Sequence, residues 1–311
     1  MRILFLGAGV IGSLYAARLR TSGHEVVILA RGSRLASIQQ NGLLLEDAVT
    51  HRQTSVKVPV LSHLADDDPY DLVVVAVRFD QLESALDVLA KSSRTPNVLF
   101  FGNNPLGADG LIAALGQTRV LLGFPGAGGQ HEGELIRYLV IRQQRTTLGE
   151  LDGSRTPRTR EIAAAFRAAG FPIAFSPDMR SWLKTHAAFV SLVSAAIYAS
   201  QGDSAKLAAS PRLLHLMVRA VRESFQALAT NGIRDAPFNL RLLHAYMPEW
   251  FAVRYWRQQF SGELGKFSLA SHALSARSEM TLLARDVRAL LATSSSKTPY
   301  TNELFREAGL S

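Results

Sequence analysis

The chain has 311 residues, of which 47% are apolar and 19% charged, enough for two globular domains with their own cores. It contains no cysteine, which excludes disulfides, thiol catalysis and cysteine metal sites. The net charge of +8 comes from 34 basic and 26 acidic residues, scattered without a run of five like charges. This distribution favours a solvated surface and a basic pocket for an anionic small molecule over a nucleic-acid track.

The first thirty residues have the pattern of a βαβ unit. Residues 2–6 are a short apolar strand, residues 14–21 are helical, and residues 25–29 return as a second strand. Between the first strand and the helix lies a G-x-G-x-x-G turn, formed by Gly7, Ala8, Gly9, Val10, Ile11 and Gly12. Its glycines allow a sharp turn, close approach to a pyrophosphate and tight helix packing. The position of the turn between a strand and a helix predicts a dinucleotide site.

The residues after the second strand indicate which dinucleotide binds. NAD sites usually carry an acidic residue here for the ribose hydroxyls, and this chain has none between Ile28 and Arg34. Arg31 lies 19 residues after Gly12, and its planar guanidinium suits a 2′-phosphate. The alternative to a 2′-phosphate contact is that Arg31 belongs to an exposed basic loop. We favour NADP(H) as the cofactor.

The rest of the first half alternates strands and helices. Strands are predicted at 43–46, 54–60, 71–77, 97–101, 120–122 and 172–175, and helices at 35–41, 82–90, 111–115 and 161–169. Residues 134–143 and 145–150 are predicted to form an antiparallel pair that extends the sheet. Ligands of doubly wound sheets bind at the carboxyl ends of strands, and the loops that hold Arg78, Asn104 and Gly129 follow such strands.

Strand patterns end near residue 176. Helices are predicted at 179–199, 211–231, 240–259 and 267–293, with a short one after Pro299. The sequence therefore predicts an α/β domain with a doubly wound sheet over residues 1–177, followed by an all-α domain over residues 178–311. The uncharged stretch 185–202 contains polar side chains that fit a buried helix better than a membrane span. We expect a cytoplasmic protein.

Two parts of the helical half could carry chemistry. Lys184 begins the most apolar helix, where its amine can protonate a carbonyl oxygen, although a lysine that extends to water is the alternative. Ser268, His272, Ser275 and Glu279 are spaced four, three and four residues apart, which on one helix places them on one face. That face could line a cleft or be solvated.

Other conspicuous side chains have simpler interpretations. His186 is interpreted as a core histidine, and the absence of a metal-ligand spacing predicts no metal site. Six aromatic residues between Tyr246 and Phe260 are interpreted as core packing or as a homodimer interface.

Taken in order, these pieces resemble the ketopantoate reductase (2-dehydropantoate 2-reductase) family over essentially the whole chain. The matching pieces are the glycine turn, Arg31, Arg78 where the family usually has a cofactor-contacting lysine, Asn104 in place of the asparagine of an N-G-x-G loop, Lys184 at the proton-donor lysine, Glu279 at the active-site glutamate, and Pro299 before the last helix. The resemblance implies a Rossmann domain and a helical domain similar to the C-terminal domain of 6-phosphogluconate dehydrogenase.

The resemblance also implies a reaction. It is the NADPH-dependent reduction of a small 2-oxo acid, ketopantoate to pantoate, with Lys184 as proton donor. Asn104 would contact both cofactor and substrate, and Ser268 would stand in for the family's carboxylate-binding serine.

Two positions depart from the family pattern. Ala188 and Leu192 occupy positions, four and eight residues after Lys184, where the family has asparagines. A pocket that loses amide donors loses selectivity for a hydroxylated substrate. The alternatives are a reductase of a more apolar carbonyl compound and a non-catalytic, NADPH-binding regulatory module. We expect no nucleic-acid or membrane partner.

Overall fold

The computed structural model describes residues 1–92 and 94–310, which form two compact units. The first unit comprises Met1–Gly102 and Ala108–Met179, and the second comprises Asn103–Gly107 and Arg180–Ser311. The change between them at Met179 lies two residues after the boundary predicted from sequence. The loop 103–107 follows a strand of the first unit but packs as part of the second.

An eight-stranded, mainly parallel sheet organises the first unit. Its strands are β1 (Arg2–Leu6), β2 (Glu25–Leu29), β5 (Val60–Leu61), β6 (Leu72–Val75), β7 (Val98–Phe101), β8 (Val120–Phe124), β11 (Thr146–Gly149) and β12 (Ile173–Phe175). Their order is β12-β11-β8-β7-β6-β1-β2-β5, and only β8 and β11 pair antiparallel. The helices of this unit are α1 (Val10–Thr21), α2 (Gly32–Asn41), α3 (Leu82–Lys91), α4 (Asp109–Leu115) and α5 (Pro157–Ala168). Continuous apolar strands such as β6 and β7 are buried along their whole length.

A second sheet corrects two predictions. It contains β3 (Leu43–Asp47), β4 (Gln53–Val56), β9 (Ala127–Glu132) and β10 (Leu135–Val140), in the order β4-β3-β10-β9. The predicted pairing of 134–143 with 145–150 is wrong, because β10 pairs with β9 and β3 while β11 joins the large sheet. The single strand predicted at 54–60 is divided between the two sheets, with Pro59, which lacks an N–H, in between.

Helix α1 packs on the large sheet through an aromatic cluster. The Tyr15 ring stacks on Phe171 at 3.8 Å and meets the edges of Phe101 and Phe166. Its hydroxyl lies 2.5 Å from Thr146 Oγ1 and accepts from the Gly126 N–H at 3.1 Å. Burial raises the pKa of Tyr15, so this side chain stays neutral and structural.

The second unit is helical. Its α-helices are α6 (Met179–Ala199), α7 (Ser204–Ala209), α8 (Pro211–Thr230), α9 (Phe238–Arg241), α10 (Glu249–Ser261), α11 (Ser271–Ser275), α12 (Arg277–Ala292) and α13 (Pro299–Glu307). The turns Leu242–Tyr246 and Leu264–Ala270 are π-helical. The long helices predicted at 240–259 and 267–293 are therefore interrupted, the first before Pro248 and the second at Ala276. Helix α7 was not predicted.

The aromatic segment of this unit divides between core and surface. Trp256 and Phe260 are buried, whereas Tyr246 and Trp250 are mostly exposed. Within the described part of the chain, no helix combines the length and apolar character needed to cross a membrane.

Candidate functional site

The glycine turn of the first unit has space where a ligand would need it. Gly7 has a φ of +116°, and a Cβ there would lie 2.5 Å from the Ala76 carbonyl oxygen. A Cβ on Gly12 would lie 2.0 Å from the Gly7 carbonyl oxygen, so close packing explains this glycine. A Cβ on Gly9 would meet nothing within 4 Å. Contacts within the protein explain the first and third glycines, while the second leaves open space at the turn.

The N-terminus of α1 adds hydrogen-bond donors to that space. Gly9 is the N-cap residue of α1, and it has no side chain to cap the helix. The first turn carries no acidic side chain. Free backbone N–H groups and the helix dipole therefore remain to bind an anion, and the turn fits a pyrophosphate.

The predicted basic residues lie at the starts of two helical turns in the same unit. Arg31 is exposed as the N-cap residue of α2, and Arg78 is exposed before the 3-10 turn Phe79–Gln81. Neither side chain forms an ion pair with another described residue, so both can meet a phosphate. Their roles toward a cofactor remain predictions.

Arg34 is a neighbour of the glycine turn that the sequence analysis missed. Its Nε donates to the Ala8 carbonyl at 3.3 Å, and its Nη2 donates to Ser13 Oγ at 3.4 Å. Burial lowers the pKa of His131, and the charges of Arg34 and Arg78 lower it further, so all three surround one region. The spacing of Arg31 and Arg34, three residues apart on α2, was the available signal.

Gly129 lies in β9, where packing explains its lack of a side chain. A Cβ there would lie 2.3 Å from the Arg137 carbonyl oxygen of β10 and 3.1 Å from Val10 Cγ1 in the first turn of α1. Strand β9 therefore passes over the start of α1. Contact between Gly129 and a cofactor stays a prediction.

In the second unit, the loop 103–107 contacts the predicted glutamate. Asn103 Nδ2 donates to Glu279 Oε1 at 3.1 Å, and both side chains are buried, with 8% and 3% exposure. Glu279 lies in the first turn of α12, where the positive end of the helix dipole favours a carboxylate. Asn103 Oδ1 is buried and has no hydrogen-bond partner among the described residues. One acceptor beside the glutamate is thus left for another donor.

Asn104 holds the same loop closed. Its Nδ2 donates to the Gly107 carbonyl at 2.7 Å, and its Oδ1 accepts from the Gly107 N–H at 3.0 Å. Gly107 has a φ of +90°, which favours glycine. Both ends of the Asn104 amide are used within the loop, whereas Asn103, which the sequence analysis did not single out, contacts Glu279. The adjacent asparagines at the carboxyl end of β7 were the only signal.

Lys184 lies against this loop. A Cβ built on Gly107 would lie 3.7 Å from Lys184 Cε and 3.9 Å from its Nζ. The side chain is half-buried, and its amine has no hydrogen bond or ion pair to any of residues 1–92 or 94–310. The second unit therefore brings Lys184, the loop 103–107 and the loop's partner Glu279 together, with the amine free for a ligand.

The predicted common face of Ser268, His272, Ser275 and Glu279 is wrong. The backbone leaves helical geometry at Ala276, with φ −118° and ψ 37°, so the regular spacing does not continue to Glu279. Ser275 is exposed, whereas Ser268 is buried in a π-helical turn. A role for Ser268 toward substrate stays a prediction.

Helix α6 continues from Lys184 as an apolar stripe. Ala188 and Leu192 are fully buried. His186 is also buried and stacks on Trp182 with ring centroids 4.9 Å apart. Burial lowers the pKa of His186 to about 3, so the ring is neutral and belongs to the aromatic core.

Parts of the chain are similar to a known protein family and to curated enzymes of that family. Residues 3–153 match the family model described as ketopantoate reductase PanE/ApbA. The 2-dehydropantoate 2-reductase of Mesorhizobium japonicum is 30% identical over 211 residues, which are 59% of this chain and 63% of that relative. The match thus spans less than two thirds of that relative's length. The 2-dehydropantoate 2-reductase of Pyrococcus abyssi is 22% identical over 76% of this chain and 77% of its own.

Solved structures extend the likeness to the whole chain. The 2-dehydropantoate 2-reductase from Geobacter metallireducens superposes with a TM-score of 0.79 at 20% identity, covering 100% of this chain and 98% of its own. D-mandelate dehydrogenase, solved with NADH and anilino(oxo)acetate, has a TM-score of 0.78 at 17% identity, covering 99% and 97%. These likenesses confirm the predicted fold class, an α/β domain with a doubly wound sheet followed by an all-α domain.

Proposed function

We propose that the chain reduces a small 2-oxo acid to the 2-hydroxy acid with NADPH, because residues 3–153 match the ketopantoate reductase family model and the named relatives are 2-dehydropantoate 2-reductases. Ketopantoate is the default substrate, since the named relatives are 2-dehydropantoate 2-reductases. The observation that carries the proposal is the buried contact between Asn103 and Glu279, in a loop that lies against the free amine of Lys184.

The first unit supplies the cofactor site. The turn from Gly7 to Gly12 and the N-terminus of α1 would hold the pyrophosphate, because Gly9 leaves open space beside unpaired N–H groups. Arg31 would bind the 2′-phosphate, with Arg34 and Arg78 adding positive charge. Bound NADPH supplies the hydride for the carbonyl carbon.

The second unit supplies the proton. Lys184 Nζ would donate a proton to the carbonyl oxygen as that oxygen gains charge, which completes the alcohol. Glu279 would orient the ammonium group or a substrate hydroxyl through its buried carboxylate. Asn103 would hold that carboxylate in place through Nδ2. Asn104 closes the loop and would meet the cofactor and substrate at the loop surface.

A more apolar 2-oxo acid is the second candidate substrate. Ala188 and Leu192 replace two asparagines of the family pattern on α6, so this helix offers no amide there to recognise a substrate hydroxyl. Leaving a hydroxyl unpaired in such a site disfavours hydroxylated substrates relative to apolar ones.

Loss of NADPH absorbance tests both candidates. Purified protein would be assayed with ketopantoate, and in parallel with 2-oxo acids that have branched or aromatic apolar side chains. Turnover of ketopantoate supports the default, and preference for the apolar acids supports the second candidate. NADPH binding without turnover of any acid would overturn both and leave the regulatory module.

The Lys184→Ala variant tests the mechanism. We expect it to lower kcat by about 100-fold or more, because general-acid catalysis typically contributes that much. Lys297→Ala is the matched control, since it removes an exposed lysine from the same unit. Equal rates for Lys184→Ala and the unmodified protein would refute the assigned proton donor.

A further inference from the structure

The helical unit contains a cavity that none of the residues assigned above lines. Its volume is about 450 Å³, and it lies between α6, α8 and the segment 233–247. That volume is within the range of sites that bind small organic molecules. Its polar lining is rich in nitrogen donors, including Arg222, Arg234, Arg241 and His244.

His244 presents an unpartnered donor in this wall. Trp256 Nε1 donates to His244 Nε2 at 3.2 Å, and because an indole N–H can only donate, Nε2 must be the acceptor. Burial lowers the pKa of His244 to about 3, so the neutral ring carries its proton on Nδ1. That atom is buried and has no partner among the described residues. A buried donor without an acceptor lowers the stability of the protein.

Arg222 presents a second such donor. Its Nη2 donates to the Met247 carbonyl at 2.5 Å, which fixes the guanidinium against the 242–247 turn. Its Nε is buried without a hydrogen-bond partner in the described structure. The charge of Arg222 further lowers the pKa of His244, so the two groups lie near each other. The guanidinium would balance the charge of an anion in the cavity.

The other residues that line the cavity indicate the chemical character of its ligand. Arg234 and Arg241 are exposed, and no acidic residue of the described chain lines the cavity. Phe225, whose ring lies 5.9 Å from that of His244, and Met247 add apolar surface. We propose that this cavity is a binding site for a small organic anion, with a carboxylate or phosphate held by Arg222, Arg234 and Arg241 beside His244, and an apolar body on Phe225 and Met247.

Calorimetric titration of the full chain tests the proposal. The probes are phenyl phosphate, phenylacetate, inorganic phosphate and the neutral benzyl alcohol, each with saturating NADPH so that the glycine turn does not compete. We expect at least one aromatic anion to bind at millimolar concentrations and benzyl alcohol to be silent. The phosphate and carboxylate arms identify the anionic group that the cavity prefers. Equal binding of benzyl alcohol, or no binding of either aromatic anion, would overturn the proposal.

Two variants locate that binding. Arg241→Gln changes an exposed residue, and Arg222→Lys keeps the charge but removes Nε–H; each is expected to weaken the aromatic anion by about tenfold. Arg254→Gln is the control, since it removes an exposed arginine that does not line the cavity. The ¹⁵N resonance of His244 Nδ1 should also shift on binding. Unchanged affinity in Arg241→Gln together with an unmoved His244 resonance contradicts this site, whether or not Arg222→Lys folds.

Discussion

The contact between Asn103 and Glu279 can be measured as a coupling energy. The amide is neutral, the acceptor is a carboxylate, and Nδ2 lies 3.1 Å from Oε1. Such a hydrogen bond contributes about 1.5–3 kcal/mol. The side chains are only 8% and 3% exposed, so water cannot replace the lost amide well. The dipole of α12 is unchanged in Asn103→Ala, so the coupling reports the hydrogen bond alone.

A double-mutant cycle isolates this term. Asn103→Ala, Glu279→Ala and their combination would be unfolded in urea and followed by tryptophan fluorescence. All three tryptophans of the chain lie in the helical unit, so the signal reports on the unit that contains the pair. We expect a coupling energy of about 1.5–3 kcal/mol. The exposed Glu263→Gln provides the control, because its effect should add to that of Asn103→Ala.

The catalytic readout is separate from stability. If Asn103 positions Glu279, each single variant should lower kcat, and the double variant should lose little more. Additivity of the unfolding free energies within about 0.5 kcal/mol would refute the reasoning, because it would mean that the two side chains do not interact.

Three further predictions follow from the geometry. Gly9→Ala should keep the melting temperature of the protein but weaken NADPH binding about tenfold, as measured by fluorescence titration. Gly12→Ala should lower the melting temperature, because its Cβ would lie 2.0 Å from a backbone oxygen. Equal melting temperatures of the two variants in thermal unfolding would contradict this difference in available space. Arg31→Ser should raise KM for NADPH about tenfold without changing KM for NADH, and a parallel rise in both would argue against a 2′-phosphate contact. His186 and His244 have pKa values lowered to about 3 by burial, so the unfolded chain binds the extra protons and stability is lost as pH falls from 6.5 toward 3. Each should cost about 2 kcal/mol between pH 7 and pH 5, and urea midpoints that do not change over this range would show that these rings are protonated in the fold.

The likeness to solved structures confirms the predicted fold class. The matches to 2-dehydropantoate 2-reductases support the predicted oxidoreductase class. The substrate and the roles of individual residues remain predictions. In the structure, Lys184 and Glu279 both lie beside the loop 103–107. The resemblance to the family's N-G-x-G loop pointed to Asn104, whereas in the structure it is Asn103 that donates a hydrogen bond to Glu279.

Short-range patterns were sufficient for part of this protein. The alternation of apolar runs and helical periods determined the parallel core strands and α6, because burial on both faces or on one stripe leaves a local signature. The glycine turn was equally local, since its function depends on consecutive residues. Arg31 was also found from a local pattern, its position directly after β2.

Only the tertiary structure decided the pairings between distant segments. The sequence predicted that β10 pairs with β11, whereas in the structure β10 pairs with β3 and with β9, a strand that was not predicted. The break at Ala276 likewise separates Ser268 and Ser275 from Glu279, because their spacing gives a common face only on one regular helix. The contact from Asn103 to Glu279 joins residues 176 positions apart. Packing of the helices also leaves the Arg222 Nε and His244 Nδ1 donors without partners among residues 1–92 and 94–310. Such features depend on which surfaces meet in the fold, and a residue's sequence neighbours do not determine them.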